Sequence, residues 1–229
     1  MRIVETSGMP PKVLLPRLKA AGAKVMHKTS TVRHALSASK LAIDAVVVVG
    51  AECGGHPGLQ LIGSFVQTPL GAERIKLPLV VGGGVGHGSQ ITAALAMGAD
   101  AVLIGTRMLA ATEISAHAAY KARMIEADEG SSRLIMQSFR NTYRVLDNAD
   151  ARSVAELEAA GITDYERYRK FVAGPHQKHA YDSGDWERGV LSMGQAIAFA
   201  REPQTVAQIY AQLLAEAAVA RRRLAGLAR

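Results

Sequence analysis

The chain of 229 residues contains one cysteine, one tryptophan and few aromatic residues. A single thiol, Cys53, cannot form an intramolecular disulfide, and this predicts a cytoplasmic protein in a reducing compartment. No apolar run reaches the roughly 18 residues of a membrane span, and the N-terminus lacks the basic and apolar segments of a secretion signal. We therefore expect no membrane association.

Acidic residues are outnumbered, because 20 Asp and Glu face 27 Lys and Arg, which gives a net charge of +7. Part of the excess lies in residues 221–223 and Arg229, at the end of a predicted helix where cations complement the helix dipole. Nucleic-acid-binding surfaces interleave basic with aromatic residues, and this tail has no aromatics, so we expect no nucleic-acid partner. The positive balance favours anionic ligands such as phosphates.

An unbroken apolar run, residues 45–49, is followed by a glycine-rich loop that reaches His56. A strand without polar alternation is typical of a parallel sheet covered by helices. Gly54 and Gly55 allow the backbone to approach a ligand closely, and His56 brings a titratable group to the C-terminal end of the strand. Parallel α/β folds place their chemistry at this edge of the sheet.

Five strand–loop–helix units occur in the first half of the chain. The predicted strands are 2–6, 24–29, 45–50, 77–82 and 101–106, and the predicted helices between them are 11–22, 31–42, 58–75 and 88–97. These spacings predict an all-parallel sheet, either open and doubly wound or formed by the last five units of an eight-stranded barrel. Paired glycine loops after the last two strands, assisted by a following helix N-terminus, can bind a phosphate and favour the barrel.

Helices are predicted to replace the strands after Thr106. The predicted helices are 112–128, 152–172 with a break at Gly161, 187–201 and 204–226. Residues 134–146 are interpreted as a short mixed segment, with a polar connection over 140–144, and residues 174–185 as a polar segment. We therefore expect an incomplete parallel (β/α) barrel of TIM type over residues 1–111 and a helical subdomain over residues 112–229 that packs on it.

Several motifs occur in the order seen in one known family. The longest is Glu52-Cys53-Gly54-Gly55-His56-Pro57-Gly58, and the others are residues 4–8, 25–28, 32–35, 83–84, 98–101, 105–107, 140–142 and 184–186. With these motifs the sequence resembles the nitronate monooxygenases, formerly 2-nitropropane dioxygenases, over nearly its whole length. That family includes similar NAD(P)H:quinone reductases and, more distantly, flavin-dependent enoyl reductases. The resemblance implies a (β/α)8 barrel that binds FMN, of which the first three units have no counterpart here.

The resemblance also implies roles for individual residues. His56 matches the catalytic histidine, which acts on the substrate's proton or binds its oxygens, and the usual pKa of a histidine, about 6.5, suits this task. Lys28 matches a lysine beside the flavin ring, where a cation stabilises the reduced cofactor. The residues implied to bind FMN are Lys28, Gly54, Gly55, Gly83, Gly84, Leu103, Ile104, Gly105 and Thr106. Leu103 and Ile104 replace residues that are more polar or methionine in the family, but contacts there are made largely by the backbone.

The residues alone leave other interpretations open. Cys53 fits a buried packing position better than a reactive thiol. Lys28 fits a surface position at a strand end equally well, and His87 fits a solvent-facing position. Trp186 and Tyr181 fit core packing better than a substrate mouth. No spacing of histidines and carboxylates predicts a metal site.

The function that the resemblance implies is oxidation of an alkyl nitronate by FMN with O2 as the final acceptor. One alternative is an NAD(P)H:quinone reductase that uses the same FMN, with a quinone as the small-molecule substrate and NAD(P)H as the electron donor. A second alternative is a non-catalytic remnant that binds flavin or phosphate. An incomplete sheet would leave two long apolar edges, and these predict self-association into a homo-oligomer.

Overall fold

The computed structural model describes residues 2–227; Met1, Ala228 and Arg229, the last cation of the basic tail, lie outside the described residues. Five parallel strands form one sheet in the order β1 (Ile3–Ser7), β2 (Lys24–Thr29), β3 (Ala45–Val49), β4 (Leu79–Gly82) and β5 (Ala101–Leu103). The helices between them are α1 (Leu15–Ala20), α2 (Val32–Ala38), α3 (Ser64–Arg74) and α4 (Gly88–Ala96). The predicted α/β fold with a five-stranded parallel sheet is confirmed, and closure into a barrel stays a prediction.

One face of the sheet and its helices enclose the main core. Val25, Val46 and Val48 are buried there together with Val32 and Ala35 of α2. Burying one such valine contributes roughly 1.5–3 kcal/mol relative to leaving it exposed. Burial alternates along β2, so a shift of one residue would turn Val25 away from this core, and the core therefore fixes the register of β2.

The two edges of the sheet differ from the expectation. β1 alternates between exposed and half-buried positions and exposes Glu5 and Ser7, and β5 has only three residues. The expectation of two long apolar edges is therefore wrong, because one edge is partly polar and the other is short. Short or charged edges resist pairing with a second chain.

The C-terminal half is mixed and not purely helical. Its elements are α5 (Ala118–Glu126), β6 (Ser132–Ile135), β7 (Tyr143–Leu146), α6 (Ala149–Ala159), α7 (Glu166–Val172), α8 (Gly174–Ser183) and α9 (Val206–Leu227). β6 and β7 pair as an antiparallel hairpin in the segment that the sequence left without a clear pattern. The predicted helix over 187–201 is reduced to a 3-10 turn over Gln195–Phe199, whereas the predicted helix over 204–226 is confirmed as α9.

Tertiary contacts explain why the hairpin was missed. β6 and β7 have four residues each, so neither shows a full alternating pattern. They are stabilised from outside, since Ile135 and Val145 are buried in a C-terminal core cluster and Arg144 exchanges two backbone hydrogen bonds with Gly55. The helix α8, in contrast, had local signals that were overlooked: a proline in its first turn and Gly184, with φ of 81°, at its end.

Candidate functional site

A cleft of about 700 Å³ lies at the C-terminal ends of the five strands. Its walls are formed by residues 7–10 after β1, 28–30 at the end of β2, 53–56 after β3, 83–85 after β4, and Leu103, Gly105 and Thr106 after β5. Residues 140–142, from the hairpin loop, complete the wall. The residues that line the cleft include Lys28, Arg140 and three histidines, and none of them is an aspartate or a glutamate. This lining suits an anionic ligand.

His56 lies in this cleft and stacks on Tyr143 of β7. The two ring centroids are 4.5 Å apart and the ring planes differ by 7°. The Tyr143 hydroxyl lies 2.7 Å from Ser192 Oγ, and this hydrogen bond restricts the orientation of the tyrosine ring. Partial burial lowers the pKa of His56, although its side chain still reaches solvent, so the neutral imidazole predominates at neutral pH. A neutral imidazole can accept a proton.

The glycine loops after β4 and β5 have the geometry of an anion cradle. Gly83 and Gly84 have φ of 89° and 77°, which side chains rarely allow. Gly105 faces open space, since a Cβ added there would meet nothing within 4 Å. Among residues 2–227, the backbone amides of Gly84, Gly105 and Thr106 donate to no protein acceptor. Free amides around an open space fit a phosphate group.

The Thr106 hydroxyl can join this cradle. Its Oγ1 accepts a hydrogen bond of 3.0 Å from Gly194 N, which leaves the hydroxyl proton available for a ligand. Gly194 belongs to a segment that packs closely on the loop after β3, because a Cβ at Gly54 would lie 2.7 Å from Gly194 N. Gly54 and Gly55 therefore line the cleft and also serve packing, since Gly55 pairs with Arg144.

The N-terminus of α4 does not assist the cradle, contrary to the expectation. Gly88 N donates to Glu216 Oε2 of α9 at 2.7 Å, so an internal carboxylate already occupies this helix end. His87, expected to face solvent, is only partly exposed; its side chain caps α4 and its ring centroid lies 5.8 Å from that of Phe199. Phosphate binding at this helix N-terminus would require Glu216 to leave.

Glu52 connects three parts of the site and was not recognised from the sequence as a functional residue. Its carboxylate accepts hydrogen bonds from Ser64 N at 3.0 Å and Ser64 Oγ at 2.9 Å. Ser64 Oγ is also 3.1 Å from Gly83 O, a second acceptor. Glu52 thus connects the loop after β3 to the start of α3 and to the glycine loop after β4. A single carboxylate between apolar and glycine residues was the available signal.

Lys28 lines the cleft as predicted but has a partner that the sequence did not reveal. Its Nζ lies 2.6 Å from Glu5 Oε1, and both side chains are 30% exposed. The pair leaves less free positive charge at Lys28 than a solitary lysine would provide. A role of this cation beside a flavin stays a prediction.

Leu103 and Ile104 separate onto two sides of the strand end. Leu103 lines the cleft, whereas Ile104 packs against Ile209 and Leu213 of α9. A contact of Ile104 with the cofactor would therefore come from its backbone, and it stays a prediction. Successive side chains of a strand point to opposite faces, and this accounts for the difference.

Cys53 lines the cleft and is half-buried. Burial raises the pKa of its thiol to about 11, and the nearby Arg144 opposes part of this shift. The thiol is therefore protonated and unreactive at neutral pH.

Tyr181 and Trp186 pack against a C-terminal core cluster and do not line the cleft. This agrees with the prediction that both residues serve core packing.

Two further groups in the site were missed. Residues 140–142 were noticed only as a motif and interpreted as a polar connection, because their contact with the cleft depends on the hairpin. Tyr143 and Ser192 had no signal in the sequence, since they lie 49 residues apart and meet through tertiary packing.

The fold and the cleft together define a parallel α/β protein with an anion cradle and a histidine at the C-terminal edge of its sheet. A family profile for nitronate monooxygenase matches residues 2–216. The chain therefore belongs to the nitronate monooxygenase family.

Individual relatives agree with this assignment. The chain is 30% identical over 220 residues to a nitronate monooxygenase of Paraburkholderia phytofirmans, which covers 90% of this chain and 58% of that protein. The structure of this chain resembles that of FabK from Thermotoga maritima, with a TM-score of 0.91 and 28% identity; the match covers 99% of this chain and 71% of FabK. It also resembles a nitroalkane oxidase from Streptomyces ansochromogenes, with a TM-score of 0.80 and 27% identity over 98% of this chain and 66% of that one. The chain thus spans less than two-thirds of the length of its curated relative.

Proposed function

We propose that this chain is an FMN-dependent oxidoreductase of the nitronate monooxygenase type, which oxidises alkyl nitronates with O2 as the final acceptor. The observation that carries the proposal is a single cleft that contains both a set of free backbone amides, at Gly84, Gly105 and Thr106, and an imidazole, His56. Membership of the nitronate monooxygenase family supports the same conclusion.

The glycine loops would hold the FMN phosphate. Gly84, Gly105 and Thr106 line the cleft, and their amides, which donate to no acceptor among residues 2–227, would donate to the phosphate together with the Thr106 hydroxyl. Because the backbone makes these contacts, they require residues without a side chain that would block the phosphate, and they do not require a particular side-chain chemistry. Bound FMN would supply the two-electron oxidation of the substrate.

His56 would act on the substrate. In its neutral form it can donate a hydrogen bond to an oxygen of the bound nitronate through one ring nitrogen, or accept the α-proton of a neutral nitroalkane through the other, which forms the nitronate. Tyr143 holds the ring by stacking, and Ser192 holds Tyr143. These contacts reduce the number of orientations that His56 can adopt before the substrate arrives.

A second candidate function is that of an NAD(P)H:quinone reductase with the same cofactor. The observation that favours it is the lining of the cleft, which contains Lys28, Arg140 and no carboxylate and therefore suits the phosphates of a dinucleotide. Steady-state turnover of a nitronate, compared with turnover of NADH plus a quinone by the same sample, separates the two functions. A protein that binds flavin and turns over neither substrate is the non-catalytic remnant.

The visible spectrum of the purified protein tests the cofactor directly. We expect flavin absorption in the wild type and its loss in Gly105→Val, because a Cβ at Gly105 would meet nothing within 4 Å and the added side chain would occupy the open space of the cradle. Gly130→Val is a matched control, since Gly130 lies in an exposed loop where a Cβ would make one ordinary contact, 3.5 Å from Asp128. An equal flavin content in wild type and Gly105→Val would refute the cradle.

A further inference from the structure

The loop between β6 and β7 contains two non-glycine residues in the left-handed region, Met136 with φ of 60° and Arg140 with φ of 54°. Few side chains tolerate this conformation, so each instance needs an explanation. The Met136 side chain is 4% exposed and packs in a core cluster, and this packing offsets its backbone strain. Arg140 is exposed, so core packing does not explain its conformation.

The loop is held in this shape by specific hydrogen bonds. Glu158 of α6 accepts from Met136 N at 2.9 Å and from Ser138 N at 2.8 Å. Asn141 N donates to Met136 O at 3.1 Å, which closes the loop around Arg140. The left-handed conformation of Arg140 is therefore imposed by its surroundings.

The imposed conformation places Arg140 in the wall of the cleft, where its charge is not neutralised. Among residues 2–227, no carboxylate lies within ion-pair distance of its guanidinium and no protein acceptor hydrogen-bonds to it. The other permanent cation that lines the cleft, Lys28, is paired with Glu5. Within the described part of the chain, Arg140 thus supplies the unpaired positive charge of the cleft.

Arg140 is also separate from the glycine cradle. The cradle follows β4 and β5, whereas the hairpin is joined to the loop after β3 through the pairing of Arg144 with Gly55 and the stacking of Tyr143 on His56. A molecule that reaches His56 therefore lies beside the strand that leads to Arg140. A phosphate bound in the cradle would contact the loops after β4 and β5 and not the hairpin.

We infer that Arg140 binds an anionic oxygen group, a phosphate or a carboxylate, carried by the molecule that reacts beside His56. A guanidinium pairs with either group through two parallel hydrogen bonds. The inference rests on the proposed function for the reaction at His56, but the binding itself does not require turnover. It assigns a second anion site to the cleft, distinct from the cofactor cradle.

Two substitutions separate the charge of Arg140 from its backbone. Arg140→Gly and Arg140→Asn both suit a left-handed position and both remove the charge. We expect each to keep or raise the melting temperature while it weakens ligand binding. Arg167→Asn is the matched control, because it removes the same charge from an exposed position outside the cleft.

Isothermal titration calorimetry with four probes identifies the anionic group. NADP+ and NAD+ offer phosphates, 3-nitropropionate offers a carboxylate, and 1-nitropropane offers neither. We expect both Arg140 variants to raise the Kd of the phosphate probes, or that of the carboxylate probe, by about tenfold, because a charge-assisted hydrogen-bonded pair is lost. The Kd of 1-nitropropane should stay unchanged, because this probe carries no anionic group. A selective loss with the nucleotides identifies phosphate, and a selective loss with 3-nitropropionate identifies carboxylate.

Several results would overturn the inference. These are no binding of any anionic probe by the wild type, variants that bind within twofold of the wild type, equal weakening in Arg167→Asn, or a lowered melting temperature in both Arg140 variants. Flavin content, measured from the visible spectrum of the same samples, reports separately on the proposed function. Bound flavin without an effect at Arg140 rejects this inference alone, whereas Arg140-dependent binding without flavin rejects the proposed cofactor alone.

Discussion

The cleft has two regions that we propose bind anions, and they are built in opposite ways. The cradle after β4 and β5 consists of glycines, and its donors are backbone amides. The hairpin loop has no glycine between Met136 and Thr142, and a side chain, Arg140, provides its charge while Glu158 holds its shape. We therefore expect anion binding in the cradle to be lost when any side chain is added, and anion binding at the hairpin loop to be lost when Arg140 or Glu158 is removed.

The largest effect on stability is expected in the cradle, from Gly83→Ala. The position has φ of 89°, and a Cβ would lie 2.9 Å from both Gly50 N and Gly50 O, which belong to the backbone and cannot move aside cheaply. Strain and overpacking together should lower the free energy of unfolding by about 3 kcal/mol in urea denaturation. Gly105→Ala is the control and should change the free energy of unfolding by less than about 0.5 kcal/mol. Equal effects of the two substitutions would remove the distinction between a packed and an open glycine.

The next largest effect is expected on the reactivity of Cys53, which lies in the loop after β3 between the glycine cradle and the hairpin loop. Because burial raises the pKa of its thiol to about 11, the thiolate is scarce at pH 8 and increases only as the pH approaches 11. Alkylation by iodoacetamide at pH 8 should be slower in the folded protein than in the urea-unfolded chain, where an ordinary thiol has a pKa of about 8.5, by on the order of a hundredfold. Similar rates in the two states would show that the cleft leaves this thiol open to solvent.

The smallest effect is expected in the hairpin loop, from Glu158→Ala. The substitution removes the acceptor of Met136 N, Ser138 N and Ser138 Oγ, so we expect a loss of about 1–2 kcal/mol in the free energy of unfolding. Hydrogen exchange of the Met136 and Ser138 amides should become faster, while the amides of the cradle keep their rates. Glu156→Ala, at an exposed site on the same helix, should change neither quantity. Unaltered exchange in Glu158→Ala would mean that the loop holds Arg140 in place by other contacts.

The sequence predicted the cradle better than the hairpin for a physical reason. The strands, the glycine loops and His56 are each recognisable within a few residues, because apolar runs and glycines act locally. The hairpin strands have four residues each and gain their stability from α6 and from the loop after β3, so their local pattern was weak. Arg140 was visible only as part of a motif, and its position in the cleft depends on that hairpin.

The amino-acid sequence by itself determined the five strand–loop–helix units, the glycine loops that follow β4 and β5, and the place of His56 at a strand end, whereas the order of the strands in the sheet came from the structure. The tertiary structure decided which charges are free. Lys28 meets Glu5, and the N-terminus of α4 meets Glu216, which is 128 residues away in the chain, whereas Arg140 is left unpaired among the described residues. Charge pairing depends on distances in space between residues that are remote in sequence, so no local pattern could reveal it.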